Sequence, residues 1–210
     1  MSKYTAMKAF GLWSSFFMAW VRGKNPVFEV FLKGKRVLDV GCGEGKIVAL
    51  NPEKFSGIDI NQTMVSRLQA QGLDVHQADV QHMPFQDKTF DVVHCSNVIE
   101  HLTPIEAYSM MKEMHRVLKV GGGIVLITPM PQTIWNTFGH TKPYPPIAIG
   151  KLFRDVSRES FDTIKDMSIE VVFYYGRWSM NKVLFLLSTI IAQVTPWSRG
   201  AYLMIIRKNA

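Results

Sequence analysis

The sequence predicts a single α/β domain, a mostly parallel β-sheet with helices on both faces. Three observations predict it. From about residue 35, apolar runs bounded by Gly, Asp or Asn alternate with segments of helical period, the pattern of repeated βαβ units. The first of these runs breaks into three alternating glycines, as a strand does where it turns to meet a ligand. A length of 210 residues is enough for one sizeable core and short for two comfortable domains, so further elements must decorate one sheet.

Residues 36–40 read as the first strand and 55–60 as the second. Asn61 then caps a helix with Met64, Val65 and Leu68 on one face, closed by Gly72. A short third strand at 73–76 and a fourth at 90–95 follow. Thr103, Pro104 and Glu106 form a capping box that opens a helix through Met110, Met114 and Val117. The glycines at 121–123 turn the chain into a fifth strand at 124–128. After Pro129 come a Pro- and aromatic-rich loop reaching 140–146, a helix near 147–156 and a strand at 169–175. A helical apolar stretch at 182–194 precedes a last strand at 201–207, and the last two strands are expected as an antiparallel edge pair.

Charge divides the chain. Residues 1–36 hold seven Lys or Arg against Glu29 alone, and 167–210 hold five against Glu170 alone, whereas 37–166 balance to −3. The basic excess lies in the aromatic-rich ends and points there to an anionic partner. Cys42 and Cys95 sit in apolar strand contexts, which fits a reducing, cytoplasmic compartment rather than a disulfide framework. The apolar stretches at 9–21 and 183–194 are shorter than the roughly 18 to 20 residues of a spanning helix. The first also lacks a small-residue cleavage site, so no signal peptide is expected.

The strongest local signal is Val37-Leu38-Asp39-Val40-Gly41-Cys42-Gly43-Glu44-Gly45. Taken alone, a glycine-rich turn after a strand fits nicotinamide or flavin binding as well. Here the spacing is Gly-x-Gly-x-Gly, and Glu44 stands where a pyrophosphate would meet a helix N-terminus, which disfavours a dinucleotide by charge. Asp59 ends the second strand 18 residues after Gly41, in place to accept from both hydroxyls of a ribose. Asp79, after the third strand, can accept from an adenine amine or serve only as a turn residue.

Together with Gly57-Ile58-Asp59, Asp79 to Phe85, Phe90-Asp91-Val92-Val93 and Arg116 to Gly123, this run resembles the ordered motifs of class I S-adenosylmethionine-dependent methyltransferases, in the group labelled methyltransferase type 11. The resemblance covers about residues 35–130. It implies a Rossmann-like seven-stranded sheet of order 3-2-1-4-5-7-6, mostly parallel with an antiparallel last strand, and S-adenosyl-L-methionine as cofactor. It further implies Gly41 and Gly43 against the methionine part, with Asp39 helping to hold its amino group. Asp59 and Ile60 fall on the ribose side, Asp79 and Val80 at the adenine, and Ser96 and Asn97 near the sulfonium. Cys42 occupies a variable position and is given no chemistry.

Methyl transfer by in-line displacement needs alignment and exclusion of water more than an oxyanion hole. An acceptor that must shed a proton has two candidate bases, His101 at the exit of the fourth strand and His140 in the loop after the fifth; each also reads as a packing or loop residue. Ubiquinone-pathway relatives with Glu-x-x-Glu-His at this place use a divalent metal. Asn97 replaces the first of those ligands, so no metal is expected here.

Domain organisation follows as a basic, aromatic helical cover at 1–34 and a methyltransferase domain at 35–210, with an acceptor-side insertion at about 129–165 and C-terminal edge strands. Phe10, Trp13, Phe16, Phe17 and Trp20 can gather on one helix between Lys8 and Arg22. That helix, and residues 184–191 with Lys182, Trp197 and Arg199, can cover the sheet or contact an anionic membrane. The expected acceptor is a small molecule or lipid-linked. RNA or protein methylation, a non-catalytic cofactor-binding regulator and a nicotinamide dehydrogenase are the competing readings.

Overall fold

The computed structural model describes residues 11–12, 14–16, 18–19, 22–154, 161–176, 189–193 and 195–210. One sheet holds seven strands: β1 (Val37–Val40), β2 (Phe55–Asp59), β3 (Val75–Gln77), β4 (Phe90–Ser96), β5 (Leu118–Pro129), β6 (Met167–Gly176) and β7 (Arg199–Lys208). Their order is β3-β2-β1-β4-β5-β7-β6, as the resemblance implies. The first five pair in parallel, and β7 is antiparallel to both neighbours, β5 and β6. The last two strands are the expected antiparallel edge pair. β7 is inserted, and β6 forms the edge. The physical reason lies in Tyr202-Leu203-Met204-Ile205-Ile206, five consecutive buried residues that only an internal strand covered on both faces can satisfy.

Alternate residues of that run feed two cores. Tyr202, Met204 and Ile206 join Leu38, Val93 and Leu126 on one face, while Leu203 and Ile205 join Val37, Val92 and Val125 on the other. Helix α1 (Gln62–Gln69) packs Val65 and Leu68 into the second core, and α2 (Pro104–Val117) packs Met110, Met111 and Met114 into the first. Each fully buried Met contributes roughly 1.5–3 kcal/mol. The short helix α3 (Pro146–Lys151) buries Ile149 on the same side as α2.

Both cap expectations hold. Asn61 accepts from the Met64 N–H, and Thr103 and Glu106 form the reciprocal capping box. The glycines at 121–123 do not precede the fifth strand as expected. They lie inside β5, where the register against β4 shifts between Phe90 and Val92. A side chain at position 122 would stand 2.8 Å from the Asp91 carbonyl, so glycine lets the strand run through.

At the N-terminus, residues 11–12, 14–16 and 18–19 are helical, and the Phe16 ring lies 6.5 Å from Phe31 and Phe173 and 6.2 Å from Tyr175. Phe16 thus covers the sheet. Lys8, Phe10, Trp13, Phe17, Trp20, Lys182 and residues 183–188 lie outside the described residues. Among the described residues no helix is long and apolar enough to cross a membrane.

Tyr202 ties β7 to the loop before α3 by donating its hydroxyl to the Tyr144 carbonyl in a buried setting. The substitution Tyr202→Phe leaves that carbonyl without its donor and is expected to lower stability by about 1–3 kcal/mol, read as a lower urea midpoint at unchanged slope.

Candidate cofactor and acceptor site

The glycine turn follows β1 and is locked by Cys42, whose N–H donates to the Ile58 carbonyl at 2.9 Å, and by Gly45, which closes back on the Cys42 carbonyl at 2.8 Å. Gly41 has φ of +67°, and a Cβ there would strike Val98 just beyond β4. Backbone strain and side-chain clash both demand glycine. Asp59, at the tip of β2, accepts from the Gly43 N–H and from the Asn61 N–H, each at 2.9 Å. One carboxylate thus ties the turn after β1 to the turn after β2. Asp79 follows β3 and is held by Gln81, whose N–H donates to it at 2.8 Å. Ile60 is 70% exposed beside Asp59, an apolar surface at the strand tips.

Asp39 is engaged within the sheet through one of its two carboxylate oxygens. It is 4% exposed, and its Oδ1 accepts from His94 Nδ1 at 2.7 Å. The two residues are directly opposed on β1 and β4. The sequence reading passed over His94, although a histidine inside the apolar strand at 90–95 needs a polar partner. Glu44 differs from expectation: it is exposed and pairs with Lys46 at 2.6 Å, and only a three-residue 3₁₀ turn, Val48–Leu50, follows the glycines. No α-helix N-terminus forms there for a phosphate to meet.

Beyond β4 and β5 opens a cavity of about 970 Å³ lined by Asn97, Glu100, Ile127, Gln132, His140, Tyr175 and Ala201 among others. Asn97 sits at its mouth with φ of +54°. Of the candidate cofactor residues, Asn97 lines this cavity, whereas Asp59, Ile60, Asp79 and Val80 gather at the ends of β2 and β3. His140 lines the cavity, and the His101 ring meets it edge to face with centroids 4.7 Å apart. Glu100, between Ile99 and His101, is wholly buried, and Thr128 Oγ1 donates to its Oε2 at 2.9 Å. The sequence reading left Glu100 out; its signal is a carboxylate in the otherwise apolar run 98–100. Trp135, Phe138 and Trp197 are exposed, Trp135 and Phe138 on the loop that also supplies Gln132 and His140, and Trp197 next to Pro196, whose carbonyl accepts from Gln132.

Residues 38–126 match the methyltransferase domain family. Over that segment, less than half of its length, the chain is similar to methyltransferases of that family. Among curated relatives, a phthiotriol/phenolphthiotriol dimycocerosates methyltransferase of Mycobacterium ulcerans is 34% identical over 106 residues, 45% of this chain and 37% of that one. A tRNA U34 carboxymethyltransferase of Nautilia profundicola is 30% identical over 110 residues, 48% of this chain and 36% of its own length. The matches therefore span little more than a third of those relatives. In fold, a SAM-dependent methyltransferase of Archaeoglobus fulgidus superposes over 99% of this chain and 100% of its own, with a TM-score of 0.64 at 19% identity.

The cofactor of such a methyltransferase domain is S-adenosyl-L-methionine, and the residues present fit it. A carboxylate offers about four lone-pair sites, and Asp59 uses two of them on backbone N–H groups, leaving two for the hydroxyls of a ribose. Gly43 leaves open space where a Cβ would stand, so backbone can approach a ligand there. Cys42, in the same turn, is no nucleophile: burial, and then the carboxylates of Asp39 and Asp59, push its thiol up to about 12. Burial likewise holds the Cys95 thiol well above its usual range. Both are expected to resist iodoacetamide at pH 8 in the native domain and to react at once in denaturant, counted by mass spectrometry.

Proposed function

We propose that this chain is an S-adenosylmethionine-dependent methyltransferase acting on a small-molecule or lipid-linked acceptor, in the cytoplasm and in peripheral contact with an anionic membrane. The observation that carries the acceptor class is the cavity beyond β4 and β5, walled by Ile127, Pro129, Tyr175 and Ala201, with Trp135, Phe138 and Trp197 exposed on the segments around its lining. Its size suits a drug-sized ligand, and these exposed rings suit an apolar one. The cofactor supplies an electrophilic methyl group. Asp59 and Ile60 hold its ribose, Asp79 and Val80 its adenine, and Gly41, Gly43 and Asp39 the methionine end. Ser96 and Asn97 face the sulfonium, and His140 on the cavity wall or His101 beside it takes a proton from the acceptor. The basic ends supply charge for a lipid surface, and the free Cys42 and Cys95 suit a reducing compartment.

A second reading, methylation of RNA, draws on the tRNA-modifying relative. Calorimetric titration with S-adenosylmethionine and S-adenosylhomocysteine, beside NAD and NADP, tests the cofactor. Micromolar affinity for the sulfur nucleosides alone is the expected result, and binding of a dinucleotide instead overturns the methyltransferase reading. Incubation with methyl-labelled cofactor and either a lipid extract or bulk tRNA then separates the acceptors. Label in the lipid fraction, with sedimentation on phosphatidylserine vesicles, is expected; label in tRNA moves the acceptor to nucleic acid.

A further inference from the structure

Glu100, His101 and His140 form a cluster that the walls of the cavity do not explain. Each offers a ligand atom within 4.8 Å of the other two. Glu100 is 0% exposed, and while Oε2 accepts from Thr128, Oε1 has no hydrogen-bond partner. Leaving a buried polar atom without a partner costs about 1–3 kcal/mol, so such an atom calls for a ligand. The two imidazoles are oriented alike. His101 Nδ1 faces the Gly139 carbonyl at 3.2 Å, and His140 Nδ1 faces the Ile134 carbonyl at 2.7 Å. A carbonyl only accepts, so each Nδ1 carries the proton and each Nε2 keeps its lone pair. Histidines that ligate metals are held in this way by a carbonyl behind the ring.

We propose that Glu100, His101 and His140 bind one divalent transition-metal ion of the zinc class, with its remaining coordination positions open to the cavity. Two imidazoles and one carboxylate suit zinc, cobalt, nickel or ferrous iron, and suit magnesium or calcium poorly, because those ions prefer all-oxygen shells. Bonds of about 2.0–2.2 Å put neighbouring donors roughly 3–3.5 Å apart, so the cluster must tighten on the ion. His101, exposed on its turn, has the room to do so. The sequence excluded a metal because Asn97 stands where a third ligand was expected; the fold supplies that ligand from a different loop, as His140. The ion would accept an oxygen or nitrogen of whatever occupies the cavity and would favour loss of its proton in place of His101 and His140, whose Nε2 lone pairs it would take. That last point rests on the acceptor reading above, and the metal site itself does not.

The test uses the whole chain, stripped with a chelator and shown folded by circular dichroism. Cobalt is followed by its visible absorption, zinc by competition with a chromogenic chelator, and magnesium in parallel. One ion per chain is expected, with zinc and cobalt at least about a hundredfold tighter than magnesium and at least about tenfold weakening by His140→Ala and by Glu100→Gln. S-adenosylhomocysteine affinity, measured on the same preparations, is expected to stay unchanged in the variants. No stoichiometric uptake by the folded wild type overturns the proposal, as does equal uptake by wild type and His140→Ala. Nucleoside binding without metal uptake sinks this inference alone, and metal uptake without nucleoside binding sinks only the methyltransferase reading.

Discussion

Replacing Asp59 with alanine is expected to weaken binding of S-adenosylhomocysteine at least about a hundredfold while leaving a folded protein. The carboxylate has two duties that the substitution removes together. It accepts from Gly43 and Asn61, holding the turn after β1 against the turn after β2, and its two remaining lone-pair sites are those the proposed function assigns to a ribose. Each hydrogen bond to a charged group contributes about 1.5–3 kcal/mol, so the loss of the ribose pair alone accounts for the effect. Asp59 is partly exposed, and the freed N–H groups can reach water, so the cost to stability is small by comparison. Asp59→Asn, which keeps one acceptor oxygen, should fall between. Calorimetry on the three proteins reads the series, and wild-type affinity in Asp59→Ala would remove the ribose from this carboxylate.

Asp39→Ala is expected to act on stability first, by about 1–3 kcal/mol, because it leaves a His94 ring nitrogen without its partner in the core. The side chains of both partners are 5% exposed, so water does not replace the lost acceptor. The double variant Asp39→Ala/His94→Leu should recover part of the loss, since removing both polar groups ends the desolvation cost. Urea midpoints of the single and double variants check this. If Asp39→Ala unfolds at the wild-type midpoint, the pair carries no structural weight and the carboxylate is free for the cofactor amino group.

The contrast between these two aspartates shows what a sequence reveals. Asp59 was legible because its place at a strand end, 18 residues past Gly41, fixes where it points. Asp39 lies one residue before the end of β1, where side chains alternate between faces, and only the pairing of β1 with β4 sets it against His94. Helix caps were legible for the same local reason: Asn61 and Thr103 bond groups three residues away. The position of β7 was legible only through the family resemblance, because chain order places it last while its buried run places it inside. Glu100 and His140 are 40 positions apart, and no local pattern brings them to one cavity. The loop from Thr128 to Thr141 does: the Thr141 N–H donates to the Glu100 carbonyl at 2.8 Å.

The antiparallel ladder from Gly123↔Arg207 to Pro129↔Ala201 joins the half of the molecule that carries the cofactor motifs to the half that walls the cavity. A strand advances about 3.4 Å per residue, so this ladder works as a vernier that sets how far Ala201 stands above Ile127. A two-residue slip would keep every apolar side chain on its face and still carry the wall about 7 Å along the sheet. Descendants of such a fold can therefore change the molecules they modify by lengthening or trimming strand tips between residues 129 and 201, while the inheritance in residues 38–126 stays untouched.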